Sequence, residues 1–70
     1  MNNIFVIIGF RIAARRKELK LSQEELAEIV GLHRNYIGYI ERGEKRASID
    51  NIQQIATALN LTLEKLFKDL

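Results

Sequence analysis

Few side chains in this sequence are suited to covalent or metal chemistry. The 70 residues contain no cysteine and one histidine, His33. Ser22 and Ser48 stand where helical patterns begin, so we interpret their hydroxyls as helix caps rather than as nucleophiles. Catalysis requires a nucleophile, a base or a cluster of metal ligands. The sequence therefore predicts no enzyme, no metal site and no cofactor.

A second group of polar side chains, between residues 34 and 42, is better suited to binding. In this segment Ile37 and Ile40 have the spacing of a buried helix face. The other positions then form an exposed polar face, which consists of Arg34, Asn35, Gly38, Tyr39 and Arg42. Arginine and asparagine on such a face have the paired hydrogen-bonding groups that match the edges of nucleic-acid bases.

The elements that position this face are short helices separated by tight turns. Apolar spacing predicts a first helix over residues 5–20 and a second over residues 23–30. Ser22 and Glu25 form a capping box at the start of the second helix, and Gly31 ends it. The later helices are a third that opens at His33 or Arg34 and stops at Gly43, a fourth between Ser48 and Asn60, and a short fifth after Thr62.

These helices predict an all-α fold in which residues 1–70 form one domain. On the second helix we expect Leu26, Ile29 and Val30 to face the core, while the small Ala27 allows close packing against the third helix. A helix of about eight residues, a turn with glycine and a helix of about nine have the layout of a DNA-reading helix-turn-helix. The third helix is then the recognition helix.

The run LSQEELAEIVGLHRNYIGYIERG, residues 21–43, resembles the Xre/Cro family of phage-repressor-type regulators. The match extends over residues 9–67. Arg34, Tyr36 and the IERG segment are most similar to the controller proteins of restriction–modification operons. The resemblance implies a compact five-helix, phage-repressor-like fold. It also implies a transcriptional regulator that binds a pseudo-palindromic duplex DNA operator as a homodimer.

The resemblance also implies roles for individual residues. Base contacts fall on Arg34, Asn35, Gly38 and Tyr39, and contacts to the DNA backbone fall on Gln23, Tyr36, Arg42, Lys45 and Arg46. For Tyr36 core packing is the alternative. Arg11 and Arg15 on the first helix are further candidates for phosphate contacts. Arg16 and Glu41 match a buried ion pair between the first and third helices of the family.

Two positions depart from the family pattern. Lys20 stands where the family often has a glycine at the end of the first helix, so this turn must adopt a strained left-handed backbone or end differently. His33 stands where a small polar residue or aspartate is common. Its alternatives are a weak cap on the recognition helix, a phosphate contact or no role.

The charge distribution agrees with a phosphate-binding surface. The net charge is only +2, but the basic residues gather in residues 1–20 and 31–46, and two such segments can form one basic face. The apolar run over residues 4–8 is too short to span a membrane and precedes the basic residues, unlike a signal peptide. We therefore expect a partly buried first helix, with a dimer contact or a cleaved leader as the alternatives for this run, and a cytoplasmic protein of a prokaryote or phage.

Apolar side chains crowd the C-terminus, where a chain of this size has little core to cover them. An exposed apolar cluster marks an association surface, so the sequence predicts a dimer interface that consists of Leu61, Leu63, Leu66, Phe67 and Leu70. Burial of these residues under the first helix is the alternative. A two-fold dimer would place two recognition helices in successive major grooves, ~34 Å apart.

The strongest rival interpretation is a protein-interaction module that binds a toxin or a polymerase subunit with little DNA sequence preference. Arg34 and Arg42 favour the DNA-binding interpretation over it. RNA polymerase is a further partner if the protein activates transcription, with Glu41 or Glu44 as candidate contacts. We expect no membrane or small-molecule partner. The operator, the direction of regulation, and the choice between a restriction–modification controller and a phage or mobile-element repressor stay open.

Overall fold

The computed structural model describes residues 3–70, and all the regular structure in that part of the chain is helical. The five α-helices are α1 (Ile4–Glu18), α2 (Gln23–Val30), α3 (Arg34–Glu41), α4 (Ile49–Ala58) and α5 (Leu63–Leu66). The predicted all-α fold and the order of its helices are confirmed. The first helix begins one residue earlier than predicted because the Asn3 side chain caps it, accepting a hydrogen bond from the Phe5 amide at 2.8 Å.

The turns at the ends of α1 and α2 follow from their local sequence. Ser22 and Glu25 form the predicted capping box, with the Ser22 hydroxyl 2.9 Å from the Glu25 amide and the Glu25 carboxylate 2.8 Å from the Ser22 amide. Gly31 ends α2 with a φ of +72°, and Lys20 follows α1 with a φ of +59°. The backbone strain expected at Lys20 is therefore present, because a Cβ atom disfavours this conformation.

One hydrophobic core holds the helices together. α1 packs on α3, α3 on α2 and α2 on α4, while α5 packs on α1 and α4. The larger apolar side chains of the core are Ile8, Ile12, Leu26, Ile37, Ile40, Ile52, Ile55, Leu59 and Leu66. Ile8 lies in the apolar run over residues 4–8, which starts α1 as the partly buried helix expected from the sequence.

The prediction that Ile29 faces the core is wrong. Leu26, Ala27 and Val30 form the inward stripe of α2, and Ile29 is 59% exposed. A helix turns by roughly 100° per residue, so residue 29 lies well outside the stripe that residues 26, 27 and 30 define. Spacing of three or four residues places two side chains on one face, but the contacts of the whole helix decide where that face ends.

α1 approaches the C-terminal end of α3 at two glycines. A Cβ atom on Gly9 would overlap the carbonyl oxygen of Ile40 and lie 2.6 Å from that of Glu41. Gly43 has a φ of +73°, and a Cβ there would lie 2.7 Å from the Cα of Val6. The helix axes can approach this closely only because neither glycine has a side chain.

Among residues 3–70 no helix has both the length and the apolar character needed to cross a membrane.

Candidate nucleic-acid interface

α3 is held by its inner face and exposes its N-terminal end. Ile37 and Ile40 are buried in the core, while Arg34 and Asn35 are exposed. His33 caps the helix, since its Nδ1 accepts a hydrogen bond from the Asn35 amide at 3.0 Å. Of the alternatives left open for His33, the structure supports the cap.

Six of the predicted DNA-contacting residues line one concave surface, which we call the α2–α3 cleft. Its lining consists of Arg16, Ser22, Gln23, Glu24, Arg34, Asn35, Gly38, Tyr39 and Arg42. The start of α2 and the outer face of α3 thus form a single surface. Its borders hold guanidinium, amide and phenol groups that can donate hydrogen bonds to a polar ligand.

Gly38 forms the floor of this cleft, so its prediction as part of the exposed face is wrong. The residue is buried. A Cβ built on it would lie 3.1 Å from Nη1 of Arg42 and 3.6 Å from Oε1 of Gln23. These two longer side chains cover the glycine because its lack of a side chain leaves room for them.

The exposed arginines of the cleft are each paired with a carboxylate. Nη1 of Arg34 donates to Oε2 of Glu24 at 3.3 Å, and Nε of Arg42 donates to Oε2 of Glu44 at 2.9 Å. The hydrogen bond from Glu44 raises the pKa of Arg42 above its usual value. Both arginines lie on the surface, where a second anion can reach them.

Tyr39 lies beside two cations. The guanidinium carbon of Arg42 is 5.3 Å from the centre of the Tyr39 ring, and Nζ of Lys45 is 5.5 Å from it. These distances allow cation–π attraction, which keeps Lys45 close to the cleft although it does not line it. Arg46 points to a different neighbour, with its guanidinium 5.9 Å from the ring of Phe5 on α1.

Tyr36 does not line the cleft. Its ring packs against the core, and its hydroxyl accepts a hydrogen bond from Nδ2 of Asn51 at 3.3 Å. Because it precedes Ile37 and lies four residues before Ile40, it falls on the inner side of α3. The alternative of core packing is thus observed, and the geometry does not support the predicted contact of Tyr36 with a DNA backbone.

The predicted ion pair between Arg16 and Glu41 forms at the opposite end of α3. Nε of Arg16 lies 2.6 Å from Oε2 of Glu41, and Nη2 lies 3.0 Å from Oε1. Nη1 donates to the carbonyl oxygen of Leu21 at 2.7 Å, and Nε2 of Gln23 donates to Glu41 at 2.9 Å. The hydrogen bond to Glu41 raises the pKa of Arg16. This network joins α1, α3 and the start of α2.

The two arginines of α1 that were candidates for phosphate contacts are hydrogen-bonded within the protein. Nη1 of Arg11 donates to the carbonyl oxygens of Leu66 and Lys68 at 2.9 and 2.8 Å, and Nε of Arg15 donates to that of Leu59 at 2.9 Å. Carbonyl groups at the C-terminal end of a helix lack helical partners and attract cations. The two arginines therefore attach α1 to the ends of α4 and α5.

The predicted dimer interface needs a correction at Leu66. Leu66 is 1% exposed and belongs to the core of one chain, because α5 packs it between α1 and α4. Leu61, Leu63 and Phe67 are half-buried against that core, so the alternative of burial holds for much of the cluster. Leu70 remains 47% exposed.

Sequence reasoning missed the pairing of Glu24 and Glu44 with the arginines of the cleft. In the sequence both are ordinary exposed carboxylates. The capping role was assigned to the adjacent Glu25, so no pattern distinguished Glu24. Only the folded arrangement brings Glu24, in the first turn of α2, to Arg34, in the first turn of α3. Within residues 3–70 no three side chains of the metal-ligating types come together as a possible metal site.

Comparison with known proteins places this fold in a family. The model of the helix-turn-helix family matches residues 12–66. The control protein C.SmaI of Serratia marcescens is 43% identical over 60 residues, which cover 86% of this chain and 71% of that protein. The predicted resemblance to restriction–modification controllers is thereby confirmed.

Solved structures agree with the sequence comparison. The restriction–modification controller protein C.AhdI of Aeromonas hydrophila superposes with a TM-score of 0.85 at 43% identity, covering 90% of this chain and 96% of that one. The biofilm regulator SinR, solved in complex with DNA, superposes with a TM-score of 0.80 at 34% identity, covering 87% and 98%. The chain belongs to the helix-turn-helix family, in the group that contains the restriction–modification control proteins.

Proposed function

We propose that this chain regulates transcription by binding a specific duplex DNA operator as a homodimer. The observation that carries the proposal is the α2–α3 cleft, where the free end of a recognition helix presents Arg34 and Asn35 beside Gln23 and Arg42. A helix-turn-helix uses this end of its second helix to reach base edges in the major groove. SinR, which shares the fold at 34% identity, was solved with DNA.

Some residues of the cleft are suited to contact bases, and others are suited to contact phosphates. Arg34 has the forked donors that fit O6 and N7 of guanine, and Asn35 has the amide that fits N6 and N7 of adenine. Gln23 begins α2, where backbone amides and the helix dipole favour a phosphate. Arg42 and Lys45, beside Tyr39, supply positive charge for the adjacent DNA backbone. Phosphate contacts of this kind fix register, and the base contacts determine sequence.

A groove beside the α3–α4 loop is the surface that we propose for the dimer. Ile4, Ile49 and Leu70 are 50%, 56% and 47% exposed. They line this groove together with Phe67 and with Ala47, which follows α3 in the loop. Contact between two copies here would bury the apolar patch. Of the interface predicted from the sequence, Phe67 and Leu70 remain.

The similarity to C.SmaI and C.AhdI supports a control protein of a restriction–modification operon. Because the chain belongs to the helix-turn-helix family, we propose a binding function without enzymatic activity. If the protein also contacts RNA polymerase, Glu44 is available at the surface. Glu41 is not, because its side chain is 5% exposed and bonded to Arg16.

Selection of binding sites from random duplex DNA by the purified protein tests this function. The expected product is a pseudo-palindrome with half-sites about one helical turn apart, bound with an affinity that falls steeply with salt. Recovery of no preferred sequence, with weak binding at low salt, would contradict the proposal. A matched selection with Arg34→Ala locates the base pair that this residue reads.

The oligomeric state needs its own measurement. Sedimentation of the wild-type chain is expected to show a dimer, and Ile49→Glu should shift it to a monomer by placing a charge in the apolar groove. Ile29→Glu is the matched control, because Ile29 is exposed on α2 away from this groove. This variant should leave the dimer intact. Equal behaviour of the two variants would place the interface elsewhere.

A further inference from the structure

Glu24 is the residue of the α2–α3 cleft for which the proposed function gives no use. It is a carboxylate on the surface that we propose contacts DNA phosphates, and its side chain is 71% exposed. Repulsion between a carboxylate and the DNA backbone would lower affinity. A role in solubility alone therefore does not explain why this carboxylate lies in the cleft.

The contact of Glu24 with Arg34 joins the two helices at the ends that face the ligand. Glu24 lies in the first turn of α2 and Arg34 in the first turn of α3, and Oε2 of the first accepts from Nη1 of the second at 3.3 Å. Nε and Nη2 of Arg34 have no hydrogen-bond partner among residues 3–70. The bond to Glu24 thus occupies Nη1 of the guanidinium. The edge formed by Nε and Nη2, which has two donors, stays free.

The pair of Arg42 with Glu44 has a different geometry. Here the carboxylate binds Nε of the arginine from two residues along the chain, at 2.9 Å. The contact is local and does not connect two helices. It occupies Nε and leaves the two Nη groups at the end of the side chain available to a phosphate.

We infer that Glu24 is a specificity-determining positioning residue, which orients the guanidinium of Arg34 for two hydrogen bonds with one base. This inference rests on the proposed function. In the operator complex the bond between Glu24 and Arg34 is kept and the free edge meets the base. On unrelated DNA the same carboxylate opposes the movement of Arg34 toward a phosphate and repels the backbone. Glu24 therefore strengthens discrimination between sequences rather than total affinity.

The test compares three variants with the same charge change. Glu24→Gln removes the positioning carboxylate, Glu44→Gln removes the local one, and Glu64→Gln changes an exposed carboxylate on α5 that makes no side-chain bond among residues 3–70. Each protein is titrated with the selected operator and with an unrelated duplex at the same salt concentration. Thermal unfolding confirms that the three variants remain folded.

Glu24→Gln should lower the ratio of operator affinity to unrelated-duplex affinity by about two- to fivefold, the range expected for an exposed ion pair. Glu44→Gln should strengthen binding to both duplexes by the same factor and leave the ratio unchanged. Glu64→Gln should change neither affinity appreciably. In an Arg34→Ala background the effect of Glu24→Gln on the ratio should disappear, because no guanidinium remains to be oriented.

Equal effects of Glu24→Gln and Glu44→Gln on the ratio would overturn the inference, as would an effect of Glu24→Gln that persists without Arg34. In those cases Glu24 acts only through its charge. Failure of the proposed function itself looks different, since the wild-type protein would then bind the selected and unrelated duplexes equally.

Discussion

The two ends of α3 are built in opposite ways. At the C-terminal end, α1 approaches the backbone at Gly9, and Glu41 is enclosed by Arg16 and Gln23. At the N-terminal end, the Arg34 side chain forms a surface ion pair with Glu24. Both ends contain an arginine paired with a glutamate, but the side chains of the first pair are 10% and 5% exposed and those of the second 64% and 71%.

The exposure of each ion pair determines whether it stabilises the fold or is available to a ligand. A buried pair with all its hydrogen bonds formed cannot release a partner without leaving an uncompensated charge. An exposed pair is worth little in stability, and the pair with Glu24 leaves Nε and Nη2 of Arg34 open to a ligand. One end of α3 is thus a fixed support, and the other is free to bind. Substitutions at each end of α3 test this division.

Removing Arg16 should have the largest effect on stability. We expect Arg16→Ala to lower the free energy of unfolding by about 3–5 kcal/mol, because Glu41 is left buried without its partner. Folding raises the pKa of Arg16 from an already high value, so this contribution is constant through neutral pH and is lost only as pH rises through strongly alkaline values. Urea denaturation measures it.

Arg34→Ala is the matched control for Arg16→Ala at the other end of the helix. It should change the free energy of unfolding by less than about 0.5 kcal/mol. The double variant Arg16→Met with Glu41→Leu should be more stable than either single variant, since apolar side chains can replace a buried ion pair. Similar losses for Arg16→Ala and Arg34→Ala would remove the distinction between the two ends.

Gly9→Ala tests the close approach of α1 to α3. Helix propensity alone predicts a gain of about 1 kcal/mol from alanine inside a helix. The added methyl group would instead collide with the Ile40 carbonyl, and we expect a loss of about 1–3 kcal/mol. Thermal and urea unfolding decide between the two signs. A stabilised variant would mean that the contact at Gly9 does not constrain α3.

Arg34→Ala should weaken operator binding by about 1–3 kcal/mol and relax the preference at one base pair. Lys45→Ala separates this effect from a loss of charge, because a phosphate contact should weaken all sequences alike and reduce the salt slope by about 1. Titration of the operator and of single-base-pair variants measures both. An Arg34→Ala protein with unchanged sequence preference would exclude this end of α3 as the reading end.

His33→Ser should have the smallest effect. Serine is among the best N-cap residues, so the variant should match or exceed the wild-type free energy of unfolding by about 0.5 kcal/mol while DNA binding stays the same. If operator binding instead weakens and the salt slope falls, His33 contacts a phosphate in the complex, and the cap is secondary.

The sequence predicted the features that depend on neighbouring residues. The Ser22 box, the turn at Gly31 and the inward Ile37 each follow from chemistry within one or two helical turns. The ion pair of Arg16 with Glu41 was available only through the family resemblance, since 25 residues separate the partners.

Features set by packing between distant helices were not predictable from one sequence. Ile29, Tyr36 and Leu66 are apolar or amphipathic residues whose exposure depends on which helix covers them. Gly9 gave no signal, because a glycine within a helical pattern does not reveal which backbone it touches. Arg11 and Arg15 were interpreted as phosphate contacts because the sequence does not show that the ends of α4 and α5 lie beside them.

The helix ends have a consequence for how freely this sequence can vary. α1, α3 and α4 finish with the same pair of backbone hydrogen bonds around a residue of positive φ, which is Lys20, Gly43 or Asn60. This is the Schellman arrangement, for which glycine is the usual choice. At positions 20 and 60 the chain accepts a side chain, so random mutagenesis followed by selection for folding should recover several residues there. At position 43 the nearness of Val6 forbids a Cβ as well, and the same screen should return glycine alone.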